Sequence, residues 1–481
     1  MNLADNLWTT AENMPDKTGV VFYDRKITFA GLRDTVASVA GGLKKSGIGP
    51  GSVVGIAMPN VPEFVISYYA VLSLGGIVLS MNPLYTTYEL DYLVSDSNAE
   101  LIITHPLIEK SPLEVSKAKS IPLLFGDNFG DKSKRTIYDA ANDAEPIKEP
   151  VETTGDETAA IIYTNAVEGT PLGAQLTHEG LSFDAATSAH TAGITEEDTF
   201  LSIIPLYHAF AASANMNLPI IAGATQILHE LFNEERAMKS LREEGVTFFP
   251  AVPAIFKRLI DKFGDKGIEL PNLRGPVPGG APPPPGMLEK LEKAFSTTVF
   301  EGYGITECGP MTAVNPIAKR IRKLGTVGPP LQGITVKIVD DAGDEVPTET
   351  DGELCVSGKN VMKGYLNRDE ETRRYLRDGW FHTGDIAKVD DEGFVTITGR
   401  KKRMIIVGGF NVYPVEVENA LRRHPDIDDC EVYGVEDETM GERVAARVVC
   451  KSKEAPDKVK IQKFARQYLA PYKIPRIIEF E

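Results

Sequence analysis

The chain has 481 residues, enough for two to four domains and at least one large core that needs neither disulfides nor a structural metal. With 42% hydrophobic and 25% charged residues it is not a disordered, collagenous or coiled-coil chain. A net charge of −17 repels phosphate backbones over most of the surface and argues against a nucleic-acid binder, although residues 451–481 reverse the sign locally, with eight Lys or Arg against four Asp or Glu.

From the start, Asp5 and Glu12 precede any basic residue or apolar run, so no leader is expected. Val20 to Tyr23 and Lys26 to Thr28 read as two short strands joined at Asp24-Arg25, and Phe29 to Lys44 has helical spacing that ends at Gly47. Val53 to Ala57 reads as the next strand. Residues 64–88 carry no formal charge, but Gly75-Gly76 and Asn82-Pro83 divide them into a helix and a buried strand, Ile77 to Leu79. The uncharged stretch Leu201 to Leu228 is broken likewise by Pro205, Pro219 and Gly223, so no transmembrane segment is expected. Strands alternating with helices predict an α/β core with a parallel-rich sheet.

From Gly352 the texture changes to short strands punctuated by turns: Glu353 to Val356, Trp380 to His382, Ile386 to Val389 and Phe394 to Thr398, a β-rich subdomain. After the basic run Arg400 to Arg403, Pro414 opens a helix running to His424. Strands near Cys430 to Val435 and Val444 to Cys450 follow, and Pro456 opens an amphipathic helix through Ile461, Phe464, Ala465, Tyr468 and Leu469. The boundary is placed at the basic run, giving a large domain over residues 1–401 and a small, mobile α+β domain over residues 402–481. Cys308, Cys355, Cys430 and Cys450 form no CxxC pair, which points to a reducing, cytoplasmic setting without a zinc site.

The densest chemistry lies in Gly302-Tyr303-Gly304-Ile305-Thr306-Glu307. Its glycines admit close backbone approach, its tyrosine offers a stacking face, and Thr306 and Glu307 supply a hydroxyl and a hard carboxylate suited to Mg²⁺. A glycine turn before a polar helix start explains the same residues without function.

In order along the chain, the sequence resembles the AMP-forming acyl-CoA synthetases of the adenylate-forming ligase superfamily at six places. These are Pro205 to Phe210, Gly279 to Pro282, Gly302 to Glu307, Phe381 to Asp385, Gly399 to Lys402, and Gly408 to Glu418. The resemblance implies a ligase that uses ATP to turn a carboxylic acid, a fatty acid in first expectation, into an acyl-adenylate, and then passes the acyl group to CoA with release of AMP. By the same resemblance Tyr303 stacks on adenine, with Glu301, Gly302, Gly280 and Ala281 around its edge. Thr164 and Thr306 face phosphate, Glu307 holds Mg²⁺, Asp385 takes the ribose hydroxyls, and Arg400 reaches the ribose-phosphate side. His208 lines the junction of acyl and nucleotide sites, Lys402 is the pivot of the small domain, and Gly408 and Gly409 belong to the CoA channel, where a plain glycine turn is the other reading. A homodimer is a further expectation.

Two departures stand out. In the family's phosphate loop the positions of the serine, glycine, two threonines and lysine hold Asn165, Ala166, Val167, Glu168 and Leu172, which makes the loop two formal charges more negative. A like-charge contact with phosphate at a few ångströms costs about 1–4 kcal/mol, so ATP suffers more than AMP or acyl-adenylate. Ala470 to Pro475 resembles the segment before the family's last motif, and the sequence stops at Glu481 ahead of its lysine, so either the small domain is truncated here, which is the expectation, or the protein lacks that residue. Two functional classes follow: a synthetase slowed in its ATP-dependent half-reaction, and a non-catalytic relative that binds a nucleotide or acyl-CoA as a sensor or partner protein.

Overall fold

The computed structural model describes residues 1–165, 170–264, 268–284, 286–401, 404–451 and 456–480. A seven-stranded sheet runs in the order Gly364–Tyr365, Pro171–Thr177, Thr158–Asn165, Ile77–Ser80, Val53–Ala57, Leu101–Thr104, Leu123–Phe125. Its five strands from Thr158–Asn165 to Leu123–Phe125 pair in parallel, and the first two are antiparallel additions. Val53–Ala57 and Leu101–Thr104 are buried at every residue, as expected of parallel strands covered on both faces. The uncharged stretch resolves into the helix Pro62–Ser73, buried all round, and the strand Ile77–Ser80. No helix of the described residues is long and apolar enough to cross a membrane.

A six-stranded sheet follows the order Gly275–Pro278, Phe248–Ala251, Thr199–Ser202, Thr225–Leu228, Thr18–Phe22, Arg25–Thr28, parallel except for the last hairpin. The hairpin turns at Tyr23-Asp24, one residue before the expected Asp24-Arg25, because Tyr23 adopts a left-handed φ of 52° and Arg25 already pairs with Phe22. Thr28 then caps the helix Phe29–Lys45 through the Gly31 N–H.

The β-rich part is antiparallel, ordered Ile334–Val339, Gly352–Gly358, Trp380–Val389, Leu376–Arg377, with Val395–Arg400 also on Trp380–Val389. Trp380 to His382 and Ile386 to Val389, read from sequence as separate strands, are one. Gly384, at φ 74°, carries the backbone through the register shift between His382 and Ile386, and a second shift follows between Ile386 and Ala387, without ending the strand.

Beyond residue 404, Ile405, Val412, Val417, Leu421, Val432, Val444, Ile461 and Ile478 pack into a core of their own beneath a five-stranded sheet. Two helices here are shorter than their sequence patterns. Pro414–Leu421 ends before His424, whose Nδ1 accepts from the Asp426 N–H in a turn. The second helix is Lys458–Ala465, capped by Asp457, so Pro456 lies before the cap and Tyr468 and Leu469 lie beyond the end. The four cysteines are free thiols.

Candidate active site

A cavity of about 610 Å³ opens between the two bodies. It lies beyond the carboxyl ends of parallel strands, where backbone leaves the sheets and side chains from different units converge. Thr199–Ser202 leads to His208, Gly275–Pro278 leads to Gly280 and Ala281, and Ile77–Ser80 leads to Asn82 and Tyr85, all of which line it. Opposite them stand Met404, Ile406, Phe410, Asn411, Tyr413, Glu442 and Tyr472 of the small body.

Two short hairpins and a turn build the polar wall. Gly302–Tyr303 pairs with Ala313–Val314, which sets Tyr303 in the wall and leads into the turn Thr306–Cys308. That turn is anchored from behind: buried Asp184 accepts the Met311 N–H at 2.9 Å, and the Asn360 amide donates to the Cys308 carbonyl at 2.6 Å. Glu307 receives the Thr164 hydroxyl and the Tyr365 hydroxyl, each at 2.9 Å and both on Oε1.

Asp385 and Arg400 face each other across the Trp380–Val389 and Val395–Arg400 pairing. Arg400 Nε is 2.9 Å from Asp385 Oδ1, and the Tyr303 hydroxyl donates to Oδ2 at 2.5 Å. Burial, and then the Asp385 charge, push the Tyr303 phenol well above its ordinary range, so it remains a donor. One carboxylate thus joins the tyrosine to the arginine in the cavity wall.

Glu301 is 8% exposed, and its Oε2 has no hydrogen-bond partner among the described residues. Burial raises its carboxyl pKa, against the pull of Arg322. An orphaned acceptor in a cavity wall costs free energy until a donor arrives, and an exocyclic amine is such a donor. His208 accepts the Phe210 N–H on Nδ1 at 3.3 Å, which leaves its proton on Nε2. Burial lowers its pKa to about 4, so the ring is a neutral donor at neutral pH, not an acid.

The sequence-selected residues Thr164, His208, Gly280, Ala281, Glu301, Gly302, Tyr303, Thr306, Glu307, Asp385 and Arg400 all line this one cavity. Gly409, at φ 91°, lies so close to Val252 of the large body that a Cβ there would come within 2.6 Å of a valine methyl. Gly408 faces Met440, and Phe410 onwards reaches the cavity wall. Lys402 and residues 166–169 of the altered loop lie outside the described residues. Leu172 is described: it pairs with Thr164 across the hairpin, is buried, and faces the cavity.

Sequence reasoning missed Tyr365, which reaches Glu307 from 58 residues away, and Tyr472, which lines the cavity and stacks on Phe410 at 4.6 Å. Only three-dimensional proximity identifies either. Among the described residues no three His, Cys, Asp or Glu cluster as a metal site. A single hard carboxylate with hydroxyls beside it is the donor set with which Mg²⁺ is held jointly with substrate phosphates. Glu307, with Thr306 and Thr164 beside it, fits that ion.

Two family models match the chain, AMP-binding enzyme over residues 7–366 and AMP-binding enzyme C-terminal domain over residues 416–480. The chain belongs to the AMP-binding enzymes. The long-chain-fatty-acid–CoA ligase of Bacillus subtilis is 33% identical to it, over 98% of this chain and 90% of the relative. A double mutant of o-succinylbenzoate CoA synthetase from Bacillus subtilis, bound with its product analogue OSB-NCoA, superposes with a TM-score of 0.89 at 29% identity, covering 99% of this chain and 94% of that one. The same synthetase in complex with the acyl-adenylate OSB-AMP has a TM-score of 0.75 at the same identity and coverage. Within its family the chain is an AMP-forming acyl-CoA synthetase, an acid–CoA ligase that works through an acyl-adenylate.

Proposed function

We propose that this ligase activates a monocarboxylic acid with an uncharged tail, in first place a fatty acid, and that its adenylation step is slower than its thioester-forming step. The observation that carries the first part is the charge of the cavity wall. Among the described residues the wall has four carboxylates, Glu301, Glu307, Asp385 and Glu442, and a single cation, Arg400, already bonded to Asp385. A second carboxylate on the substrate would be buried without a partner, which costs several kcal/mol. Tyr207, Phe210, Val277, Ile305 and Met311 offer apolar surface to a hydrocarbon instead.

Leu172 supports the second part. Facing the cavity opposite Thr164, it supplies neither charge nor donor where the family's loop has a lysine. In this reading Tyr303, Asp385 and Arg400 hold the AMP moiety, and Gly280, Ala281 and Glu301 frame adenine. Thr164 and Thr306 contact phosphate, His208 donates through Nε2 near the acyl carboxylate, and Gly408 and Gly409 border the thiol's path. Mg²⁺ at Glu307 neutralises phosphate charge when bound. Arg400 holds Asp385 in place, and the small body turns about Lys402, at a boundary between residues 401 and 402. Free thiols fit a cytoplasmic setting.

Calorimetry with ATP-Mg, AMP and a non-hydrolysable acyl-adenylate mimic tests the reading. AMP and the mimic should bind more tightly than ATP-Mg, and tight ATP binding with normal pyrophosphate exchange would overturn it.

A further inference from the structure

Away from Asp385 and Arg400, the most heavily buried cation among the described residues lies where the two bodies meet. Lys473, 1% exposed in the turn Pro471–Lys473, has its ammonium 2.8 Å from Glu89 Oε1 and 2.5 Å from Glu416 Oε1. Glu89 belongs to the large body, in the helix Thr87–Asp96, and Glu416 belongs to the small body, in Pro414–Leu421. The Glu89 carboxylate is preset. Its Oε2 accepts the Thr86 N–H at 2.8 Å and the Thr86 hydroxyl at 3.0 Å as part of a capping box, leaving Oε1 for Lys473 and for the Ala470 N–H at 3.3 Å. The Tyr85 ring lies 4.9 Å from the ammonium.

We propose that Lys473 is a positioning residue for the thioester-forming step, holding the small body in the arrangement in which the Gly408–Phe410 segment closes on the cavity. The physical link is short. Tyr472, next to Lys473, stacks on Phe410 and accepts from the Asn82 amide of the large body at 3.3 Å, and Phe410 follows Gly409, which is pressed against Val252. A buried ion pair contributes little net stability, because desolvation offsets the attraction, but it specifies register: sliding the bodies apart strands Glu89 without its counter-ion. Lys473 and Glu416 travel together on the small body, so Glu89 is the group that makes the bridge selective for one arrangement. The Bacillus subtilis synthetase superposes on this chain more fully in its OSB-NCoA structure, with a TM-score of 0.89, than in its OSB-AMP structure, with 0.75.

The inference rests on the acyl-CoA synthetase assignment, and its test separates the two. Lys473→Met and Glu89→Gln are made in the full chain, and each half-reaction is followed in single turnover: acyl-adenylate formation from ATP and acid, and acyl-CoA formation from supplied acyl-adenylate and CoA. Each variant should slow acyl-CoA formation at least about tenfold while changing adenylate formation less than about twofold, with the double variant no slower than Lys473→Met alone. Equal loss in both steps, or loss in neither, overturns the proposal. Hydrogen exchange without substrates gives a second readout independent of catalysis. The amides of residues 408–412 should lose protection in both variants, and unchanged protection overturns the proposal even if the wild type makes no acyl-CoA. If Lys473→Met fails to fold, Glu89→Gln, which keeps the side-chain size, decides alone.

Discussion

The two ends of the nucleotide cavity are built to different standards. At the end proposed for the sugar, buried Asp385 is held by buried Tyr303 and by the more exposed Arg400, from two separate strand pairs. At the phosphate end, the hairpin that supplies Thr164 faces it with Leu172, an apolar side chain where charge compensation would be wanted. On the proposed reading, such a site keeps its grip on a monophosphate while losing affinity for the polyphosphate that feeds it. In that reading the attraction for AMP is distributed over stacking and carboxylate contacts, whereas that for the outer phosphates depends on a few loop residues.

The largest expected effect breaks the strong end. Asp385→Ala removes two charge-assisted contacts and leaves Arg400 without its carboxylate, and AMP affinity measured by calorimetry should fall by more than about 100-fold, in line with about 1.5–3 kcal/mol for each hydrogen bond to a charged group. Repairing the weak end should have a smaller effect: Leu172→Lys is expected to strengthen ATP-Mg binding about tenfold and leave AMP within twofold, a gain of about 1.4 kcal/mol after the cost of burying the amine. An equal gain for AMP would erase the distinction between the ends. Tyr303→Phe keeps the ring and loses the hydroxyl's bonds to Asp385 and Thr383, so AMP affinity should drop about three- to tenfold.

The smallest effect concerns pH. Burial lowers His178, His208 and His229 to about 4. Between pH 6.5 and 4 the unfolded chain binds protons that the folded one refuses, so stability should decline as pH falls through that window and be flat above it. Chemical denaturation at a series of pH values reads this directly, and His229→Gln should flatten the slope. His208, neutral across this range, should add no limb near pH 6.5 to the kcat/KM profile, and such a limb would show it charging in the free enzyme.

Much of the cavity wall was legible because its residues sit in short contiguous runs: Gly302 to Glu307 and Phe381 to Asp385 announce their chemistry by type and order. What joins them was not. The Asp385–Arg400 bond depends on cross-strand pairing around two register shifts, in a strand that reads as two pieces because Gly384 mimics a turn. Tyr365 carries no local signal, and the resemblance at Ala470 to Pro475 gives Lys473 no partner, since an isolated tyrosine beside glycine or a lysine in a basic tail has the same sequence pattern whether it is solvated or locked against a carboxylate. Helix ends were misjudged where apolar spacing continued into the turn after the helix, as at Tyr468 and Leu469, whose N–H groups bond back to Ala465. Periodicity records which face is buried, not where the backbone stops turning.

The most direct test of the unequal ends is to time both half-reactions on one sample of the full chain with one fatty acid. Rapid mixing with ATP-Mg and acid gives the rate of acyl-adenylate formation, and rapid mixing of preformed acyl-adenylate with CoA gives the rate of thioester formation. Adenylate formation should be the slower by at least about tenfold, and Leu172→Lys should narrow the gap by raising that rate alone. Adenylate formation as fast as or faster than thioester formation would contradict it.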